Sequence, residues 1–263
     1  MQLVQPATAA QANDVTPLAT VTPEVGSHPG WPLVLYFHHV RDDIEHYTVL
    51  RQDDFGFVLD LLSRWFTPMD PRCLAHSPDT WPDEPICLLT FDDGYRDVWD
   101  HAVPVMDERG WRAVMFVSTE RVGTIGEHPD RGALEHMTWR QLRDLDTRGY
   151  VVANHGHAHR DMSLLSPEEV RAEITTAQAC LTSELGTGTS GLLAYPYGNK
   201  PASFDALAGV LPSLCFGSIK ASPVPWTDCP RLIRRTFVPV GARHRWPTVV
   251  EGWRRQWENT GLR

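Results

Sequence analysis

Two adjacent carboxylates stand near the end of an apolar stretch in the first half of the chain. The run 86–89 is typical of a buried strand, and Asp92 and Asp93 follow it just before Gly94. Neighbouring side chains at a strand end point in different directions, so the two carboxylates can take different roles. Acidic residues before a glycine are also an ordinary strand-to-turn ending, and this pair alone does not establish a catalytic site.

A group of histidines supplies the second half of a candidate site. His155 and His159 are four residues apart, so on a helical turn both imidazoles would lie on one face, within reach of a single metal ion. His157 would point elsewhere. Histidines in a polar loop are the plainer interpretation, but two His and one Asp with open positions form a standard hydrolytic metal site. Asp93 is the expected third ligand.

The elements that must position these residues alternate between strand and helix patterns. About seven apolar strands end in polar residues, which predicts parallel strands covered by helices. A closed (β/α) barrel would gather those strand ends at one mouth. An open doubly wound sheet is the alternative, but no G-x-G-x-x-G follows any strand.

Several boundaries can be predicted from the same patterns. The last strand is expected at Thr236–Val240, and a helix is expected at 203–211. The residues 118–137 form a long Gly-rich loop. Three helices are each expected to begin with a capping box. The paired residues of these boxes are Thr138 with Gln141, Ser166 with Glu169, and Thr248 with Glu251.

Composition limits the class of protein and its partners. The 263 residues carry a net charge of -9 and no basic run, which argues against nucleic acid or an anionic membrane as partner. The five cysteines are scattered without a C-x-x-C pair, so neither a disulfide framework nor a thiolate zinc site is indicated. Residues 1–30 lack an export signal and are predicted to be a disordered tail before one domain at 31–263. A cytoplasmic location is expected.

Three motifs together resemble the polysaccharide deacetylases of carbohydrate esterase family 4. They are T-F-D-D-G at 90–94, H-G-H-A-H at 155–159 and A-Y-P-Y-G at 194–198, within a similarity over residues 33–240. The resemblance implies a single catalytic domain with a deformed (β/α)7 barrel. It implies Asp92 as general base and one divalent ion held by Asp93, His155 and His159. It also implies that the Tyr197 backbone N–H helps to form an oxyanion hole, with Pro196 beside it at the substrate.

The chain departs from the common family pattern at three places. Gly156 stands where a Ser or Thr usually follows the first histidine, which removes a local hydrogen bond but no ligand. Ala194 stands where many members have an arginine that orients the base, and Arg231 or Arg234 could replace that arginine. The C-terminal Leu-x-His motif that supplies the general acid is missing near Val240.

The start of the chain resembles instead the circularly permuted branch, which includes bacterial poly-N-acetylglucosamine deacetylases. There the acid-bearing strand comes first, and His38 takes that role by the match, whereas His39 would lie on the opposite face of an extended chain. We expect the first strand to lie next to the last, with His38 on the side opposite Asp92 and its pKa near working pH. A histidine pair at a polar strand end is the alternative.

The resemblance implies a metal-dependent N-deacetylase that hydrolyses the acetamide of an N-acetylated amino sugar or a saccharide-containing intermediate. Zn²⁺ is the expected ion, with Co²⁺, Ni²⁺ and Fe²⁺ as alternatives. Trp226 is the candidate substrate wall. Hydrolysis of another small linear or cyclic amide is the second hypothesis, and a non-catalytic saccharide- or metal-binding homologue is the third.

Overall fold

Parallel strands form the centre of the molecule, and the helices lie outside them. The computed structural model describes residues 23–76, 83–186, 191–202, 204–207 and 209–259. In chain order its strands are β1 Leu33–Phe37, β2 His39–Val40, β3 Val49–Leu50, β4 Thr67–Pro68, β5 Ile86–Phe91, β6 Ala113–Val117, β7 Ile125–His128, β8 Gly132–Glu135, β9 Val151–Asn154, β10 Leu192–Ala194 and β11 Leu214–Phe216. Its helices are α1 Gln52–Leu62, α2 Val103–Glu108, α3 Trp139–Thr147, α4 Pro167–Leu185 and α5 Trp246–Glu258.

The central sheet closes on itself through a short segment that follows β11. The sheet order is β1, β5, β6, β9, β10 and β11, all parallel, with β4 beside the start of β5. Ile233 then bridges to β11 and Thr236 bridges to β1, both in parallel. The Thr236 N–H and C=O bond to β1 at 2.9 and 3.0 Å. The closing segment 233–236 therefore joins the last strand to the first, which confirms the deformed barrel. The closing segment begins three residues before the strand predicted at Thr236–Val240.

Strand alternation divides the apolar core into an inner and an outer side. Every second strand residue belongs to the cluster inside the barrel, which includes Val34, Leu88, Val114, Ala194 and Phe216. The residues between them in β1, β5 and β6, such as Leu35 and Leu89, belong to the cluster shared with α1, α2 and α5, whereas Leu193 and Cys215 belong to a third cluster with α4. The same alternation sends His38 and Asp92 inward, just beyond the ends of β1 and β5.

Two of the three predicted capping boxes are present. Thr138 with Gln141 begins α3, and Ser166 with Glu169 begins α4. The third prediction is wrong, because Trp246 and the following proline already form the first turn of α5. The helix predicted at 203–211 is a single 3-10 turn at Asp205–Leu207, and residues 203 and 208 lie outside the described part. None of the described helices is long and apolar enough to cross a membrane.

The long loop after β6 contains a hairpin that the sequence analysis missed. β7 and β8 pair antiparallel, with Ile125 opposite Glu135 and His128 opposite Gly132. Arg131 lies at the turn of this hairpin and donates from Nη1 to His39 Nε2 at 2.9 Å. The hairpin is therefore tied to the chain just beyond the end of β1, at the mouth of the barrel.

The segment 23–30 packs against the barrel and the last helix. The carbonyl of Pro23 accepts hydrogen bonds from Trp253 Nε1 and from Thr236 Oγ1, both at 2.9 Å. The tail was predicted to extend to residue 30, but residues 23–30 are part of the fold. A backbone carbonyl of this segment satisfies the Trp253 and Thr236 side chains. Residues 1–22 lie outside the described part.

A chain that begins at Trp31 is expected to unfold at a lower temperature than one that begins at Pro23. Without the segment 23–30, water replaces the Pro23 carbonyl at the Trp253 and Thr236 donors, and the loss of each intramolecular hydrogen bond costs about 0.5–1.5 kcal/mol. Each kcal/mol corresponds to roughly 2–4 °C in Tm for a domain of this size. Thermal unfolding of the two chains measures the difference. Equal Tm values would show that the segment does not stabilise the fold.

Candidate active site

The first carboxylate of the acidic pair is buried against a single guanidinium. Arg235 lies on the closing segment, is 1% exposed, and donates to both oxygens of Asp92 at 2.7 Å. It also donates to Thr90 Oγ1 at 3.0 Å and to Gly217 O at 2.7 Å, which fixes its orientation. Burial raises the pKa of Asp92, but the charge and hydrogen bonds of Arg235, together with the charges of His155 and His38, outweigh burial, and the net pKa lies below its usual value. Asp92 is therefore ionised at neutral pH.

Neither arginine that the sequence analysis named orients Asp92. The Arg234 guanidinium donates to the carbonyls of Ile219 and Ala221, the latter at 2.7 Å. Arg231 contributes its backbone carbonyl to the Tyr195 hydroxyl at 2.9 Å. In an extended segment alternate side chains face opposite sides, so the register decides which arginine enters the barrel. The strand was predicted too late in the chain, and Arg235 was missed for that reason.

Asp93 lies in a left-handed turn that separates its carboxylate from that of Asp92. The φ angles are 70° at Asp93 and 75° at Gly94. Aspartate adopts this conformation more readily than most side chains. At the next position a Cβ atom would lie 2.9 Å from Val117 Cγ1, so glycine is required there. The two neighbouring carboxylates consequently face different partners.

Three candidate ligand atoms converge at Asp93. Its Oδ1 lies 2.8 Å from His159 Nε2 and 3.5 Å from His155 Nε2, and the three residues offer ligand atoms within 4.8 Å of one another. This Oδ1 is buried, yet no described residue gives it a hydrogen bond of normal geometry. His155 Nδ1 lies 2.8 Å from Ala194 O, which can only accept, so Nε2 is the atom that presents a lone pair. This donor set fits a divalent ion with nitrogen and oxygen ligands.

The histidines converge without the helical turn that their spacing suggested. The chain from His155 to His159 is irregular, and both Gly156 and His159 have left-handed φ angles, 76° and 57°. The prediction of a helical turn is therefore wrong, although the pair of residues is brought together. His157 faces away from Asp93, as expected, because its Nδ1 lies 2.9 Å from Thr119 Oγ1.

His38 and Asp92 follow two neighbouring, paired strands. Phe37 in β1 pairs with Phe91 in β5, and the Asp92 N–H donates to Phe37 O at 2.9 Å. His38 and Asp92 are thus the next neighbours on the inner face. Burial lowers the pKa of His38 to about 4, although the charge of Asp93 raises it in part. The imidazole is therefore neutral at pH 7, which contradicts the expected pKa near working pH.

His39 has both ring nitrogens occupied within the fold. Its Nδ1 lies 2.9 Å from Asp97 Oδ1, its Nε2 accepts from Arg131, and its ring stacks on Tyr95 with centroids 3.9 Å apart. Because the ring is buried and its polar atoms are paired, His39 stabilises the mouth of the barrel and is not available to a substrate.

Of the three predicted substrate contacts, only Tyr197 is exposed. This residue is 59% exposed, and its ring stands edge-on to the His159 ring, with centroids 4.8 Å apart. Pro196 is buried and supports the turn from within. Trp226 is 6% exposed and packs against Phe216 inside the barrel, with ring centroids 6.0 Å apart. The prediction of a substrate wall there is wrong, because burying the large indole fills the apolar interior.

Comparison with known proteins decides the family. A family model for polysaccharide deacetylase matches residues 80–211, about half of the chain. The chain belongs to the polysaccharide deacetylase family. YxkH of Bacillus subtilis (strain 168), a protein named for this family, is 27% identical over 132 residues, which make up 50% of this chain and 43% of YxkH. The aligned part thus spans less than half the length of that relative.

Solved structures resemble this family member over most of its length. The Streptococcus pyogenes deacetylase PplD has a TM-score of 0.69 at 17% identity, with 86% of this chain and 98% of PplD covered. IcaB from Ammonifex degensii has a TM-score of 0.65 at 23% identity, with 87% of this chain and 99% of IcaB covered. At these identities the likeness shows the fold alone.

Replacing Arg235 by Gln is expected to remove most activity of this family member. It is also expected to shift the acid limb of the pH–rate profile, where the rate falls as the pH is lowered, to higher pH. In the wild type the pKa of Asp92 is lowered, so the carboxylate stays charged into the acidic range. Without Arg235, burial raises that pKa, so Asp92 protonates and the rate falls at a higher pH than before. Breaking a buried pair also costs about 3–5 kcal/mol, so the Tm should fall.

The pH–rate profile of kcat/KM and the Tm of Arg235→Gln test this expectation. Arg231→Gln is the matched control, since the described contact of Arg231 at this site uses its backbone carbonyl. The control should keep the wild-type profile. A wild-type acid limb in Arg235→Gln would contradict the role assigned to the ion pair.

Proposed function

We propose that this protein hydrolyses the acetamide of an N-acetylated amino sugar to a free amine and acetate, with one divalent ion bound. The observation that carries the proposal is the convergence of Asp93, His155 and His159 beside an ionised, buried Asp92. Membership of the polysaccharide deacetylase family supports the reaction class. The similar structure of PplD is a complex with acetate, the product expected here.

The proposed ion is zinc, held by Asp93, His155 and His159. When bound, it would supply a Lewis acid that polarises the acetamide carbonyl and lowers the pKa of water. In the protein without the ion, the His155 imidazole can hold a proton that it must lose when the ion binds. Burial lowers the pKa of His155, but Asp92 and Asp93 outweigh burial and raise it above its usual value. Metal affinity is therefore expected to fall as the pH falls, since ion and proton compete.

Proton movement is assigned to Asp92 and His38. Asp92, ionised and held by Arg235, accepts a proton as the oxygen of water bonds to the carbonyl carbon. The C–N bond then breaks, and the amine nitrogen must gain a proton. His38 is neutral at rest and follows β1 next to Asp92 after β5, so we assign it a relay: it takes up the proton that Asp92 accepted from water and donates it to the amine nitrogen, which returns Asp92 to the carboxylate. His38 is thus charged only during turnover.

Tyr197 supports a saccharide as the substrate. Its exposed ring next to His159 offers a flat apolar face on which a sugar ring can stack. Its left-handed backbone belongs to the turn that follows β10, and its N–H is the proposed donor to the developing oxyanion. The net charge of -9 favours a neutral or cationic saccharide over an anionic one.

Purified protein supplied with Zn²⁺ is expected to release acetate from N-acetylglucosamine oligomers. A strong chelator should abolish the release and added Zn²⁺ should restore it, because the proposed ion, when bound at Asp93, His155 and His159, would supply the Lewis acid. His155→Ala and His159→Ala should lose metal and activity, whereas His157→Ala should keep both, since His157 faces Thr119. Acetate release and bound zinc are measured on the same samples.

Two further comparisons make this test specific. Asp92→Asn should bind zinc nearly as the wild type does, yet turn over about 10²- to 10⁴-fold more slowly, because it lacks the base. Small linear and cyclic amides serve as alternative substrates. Cleavage of those amides without cleavage of N-acetyl sugars would contradict the saccharide assignment, and chelator-resistant activity of metal-free protein would contradict the mechanism.

His38→Ala is expected to slow acetamide cleavage strongly and cleavage of an activated acetate ester much less. An amine leaving group needs a proton as it departs, whereas a good alkoxide or phenoxide leaving group does not. Loss of a group that transfers this proton commonly costs about 10²- to 10⁴-fold. Steady-state kinetics on both substrates measure the ratio. Equal losses on the two substrates would mean that His38 does not protonate the leaving group.

A further inference from the structure

A buried carboxylate holds the histidine loop from behind. Glu173 lies in α4, is 6% exposed, and directs Oε2 at the backbone of the loop that joins His155 to His159. This single oxygen accepts from the N–H groups of His157 and Ala158, both at 2.9 Å. Hydrogen bonds to a charged acceptor are stronger than neutral ones. The proposed mechanism gives Glu173 no role.

The glycine after the first histidine is matched to this carboxylate. Gly156 has a φ of 76°, and a Cβ atom there would lie 3.0 Å from Glu173 Oε2 and 3.4 Å from Met162 Cε. Its N–H donates to Asn154 Oδ1 at 2.8 Å, which helps to hold the left-handed turn. A side chain at this position and the carboxylate in its present place therefore compete for the same space.

We propose that Glu173 is a positioning residue for the metal site and that Gly156 is the residue that admits it. The proposal rests on the metal ligands assigned above. With its two N–H groups fixed on Glu173, the loop has one path between His155 and His159, and this path turns both imidazoles to Asp93. Where the common family pattern has a hydroxyl side chain on the loop, this chain uses a carboxylate from the neighbouring helix.

Zinc affinity and the Tm of metal-free protein together test the proposal. Glu173→Ala is expected to weaken Zn²⁺ binding by about 10- to 100-fold, as measured by competition with a chromogenic chelator. Glu173→Gln should recover part of the affinity, because an amide oxygen still accepts from the two N–H groups. Glu184→Ala is the matched control on the same helix: its carboxylate is on the surface, 2.6 Å from Arg143, and its loss should not change zinc affinity.

The link to Gly156 is tested by a double substitution. Gly156→Ala alone should weaken zinc binding, because the added methyl group displaces Glu173. In the Glu173→Ala background the same substitution should cost less, since only the strain of the positive φ remains. This non-additivity distinguishes a shared role from two independent defects. If Glu173→Ala does not fold, an unchanged zinc affinity in Gly156→Ala overturns the proposal.

The remaining outcomes are separable. If Glu173→Ala lowers the Tm of the metal-free protein but binds Zn²⁺ as tightly as the wild type, Glu173 only stabilises the fold and the inference is overturned. The proposed function would survive that result. A wild-type protein that binds no Zn²⁺ would overturn the metal site itself and, with it, the role of Glu173.

Discussion

A carboxylate inside an apolar barrel stays charged only beside positive charge, and the main positive charge beside Asp92 is Arg235. Both side chains are buried, and burial alone would favour the protonated acid. Arg235 does not lie on the strand that carries Asp92. It lies on the segment that closes the sheet between β11 and β1. The segment that closes the barrel therefore also keeps the Asp92 carboxylate charged, so the charge at the candidate site depends on the closure of the sheet.

Backbone strain is concentrated around the same point. Among the described residues, the non-glycine positions with a positive φ are Asp93, His159 and Tyr197, at 70°, 57° and 59°. Each follows a different strand, and each lies at the candidate site. Such conformations persist only where the surroundings enforce them. A barrel strand precedes each of the three positions, and Glu173 accepts hydrogen bonds from the loop that leads to His159.

Sequence reasoning succeeded where a short motif carries both position and chemistry. The pair Asp92 and Asp93 could be placed at a strand end because the apolar run before it is unambiguous. The candidate ligands His155 and His159 were expected to converge, and they do, but on an irregular loop with two left-handed residues, because spacing alone cannot distinguish that loop from a helical turn. The family and the barrel followed from the motifs and the strand alternation.

The predictions were wrong where a residue's place or pKa depends on contacts that are distant in the sequence. Arg235 was overlooked because a shift in register exchanges the inner and outer faces of an extended segment. Trp226 was assigned to the surface because a polar loop around it gives no sign of the apolar interior beneath. The pKa of His38 depends on burial inside a barrel that its local sequence does not describe.

The separation between Asp92 and Arg235 also sets an order of events during synthesis. The two residues are 143 positions apart, and chains grow at roughly 5–20 residues per second. Asp92 therefore leaves the ribosome on the order of ten seconds before its counter-charge does. During that interval β1 and β5 can pair, but the closing segment does not yet exist. Until the segment 233–236 is available, β1 and β11 lack the partner that joins them in the folded barrel, and an unpaired strand edge is a template for pairing with another chain.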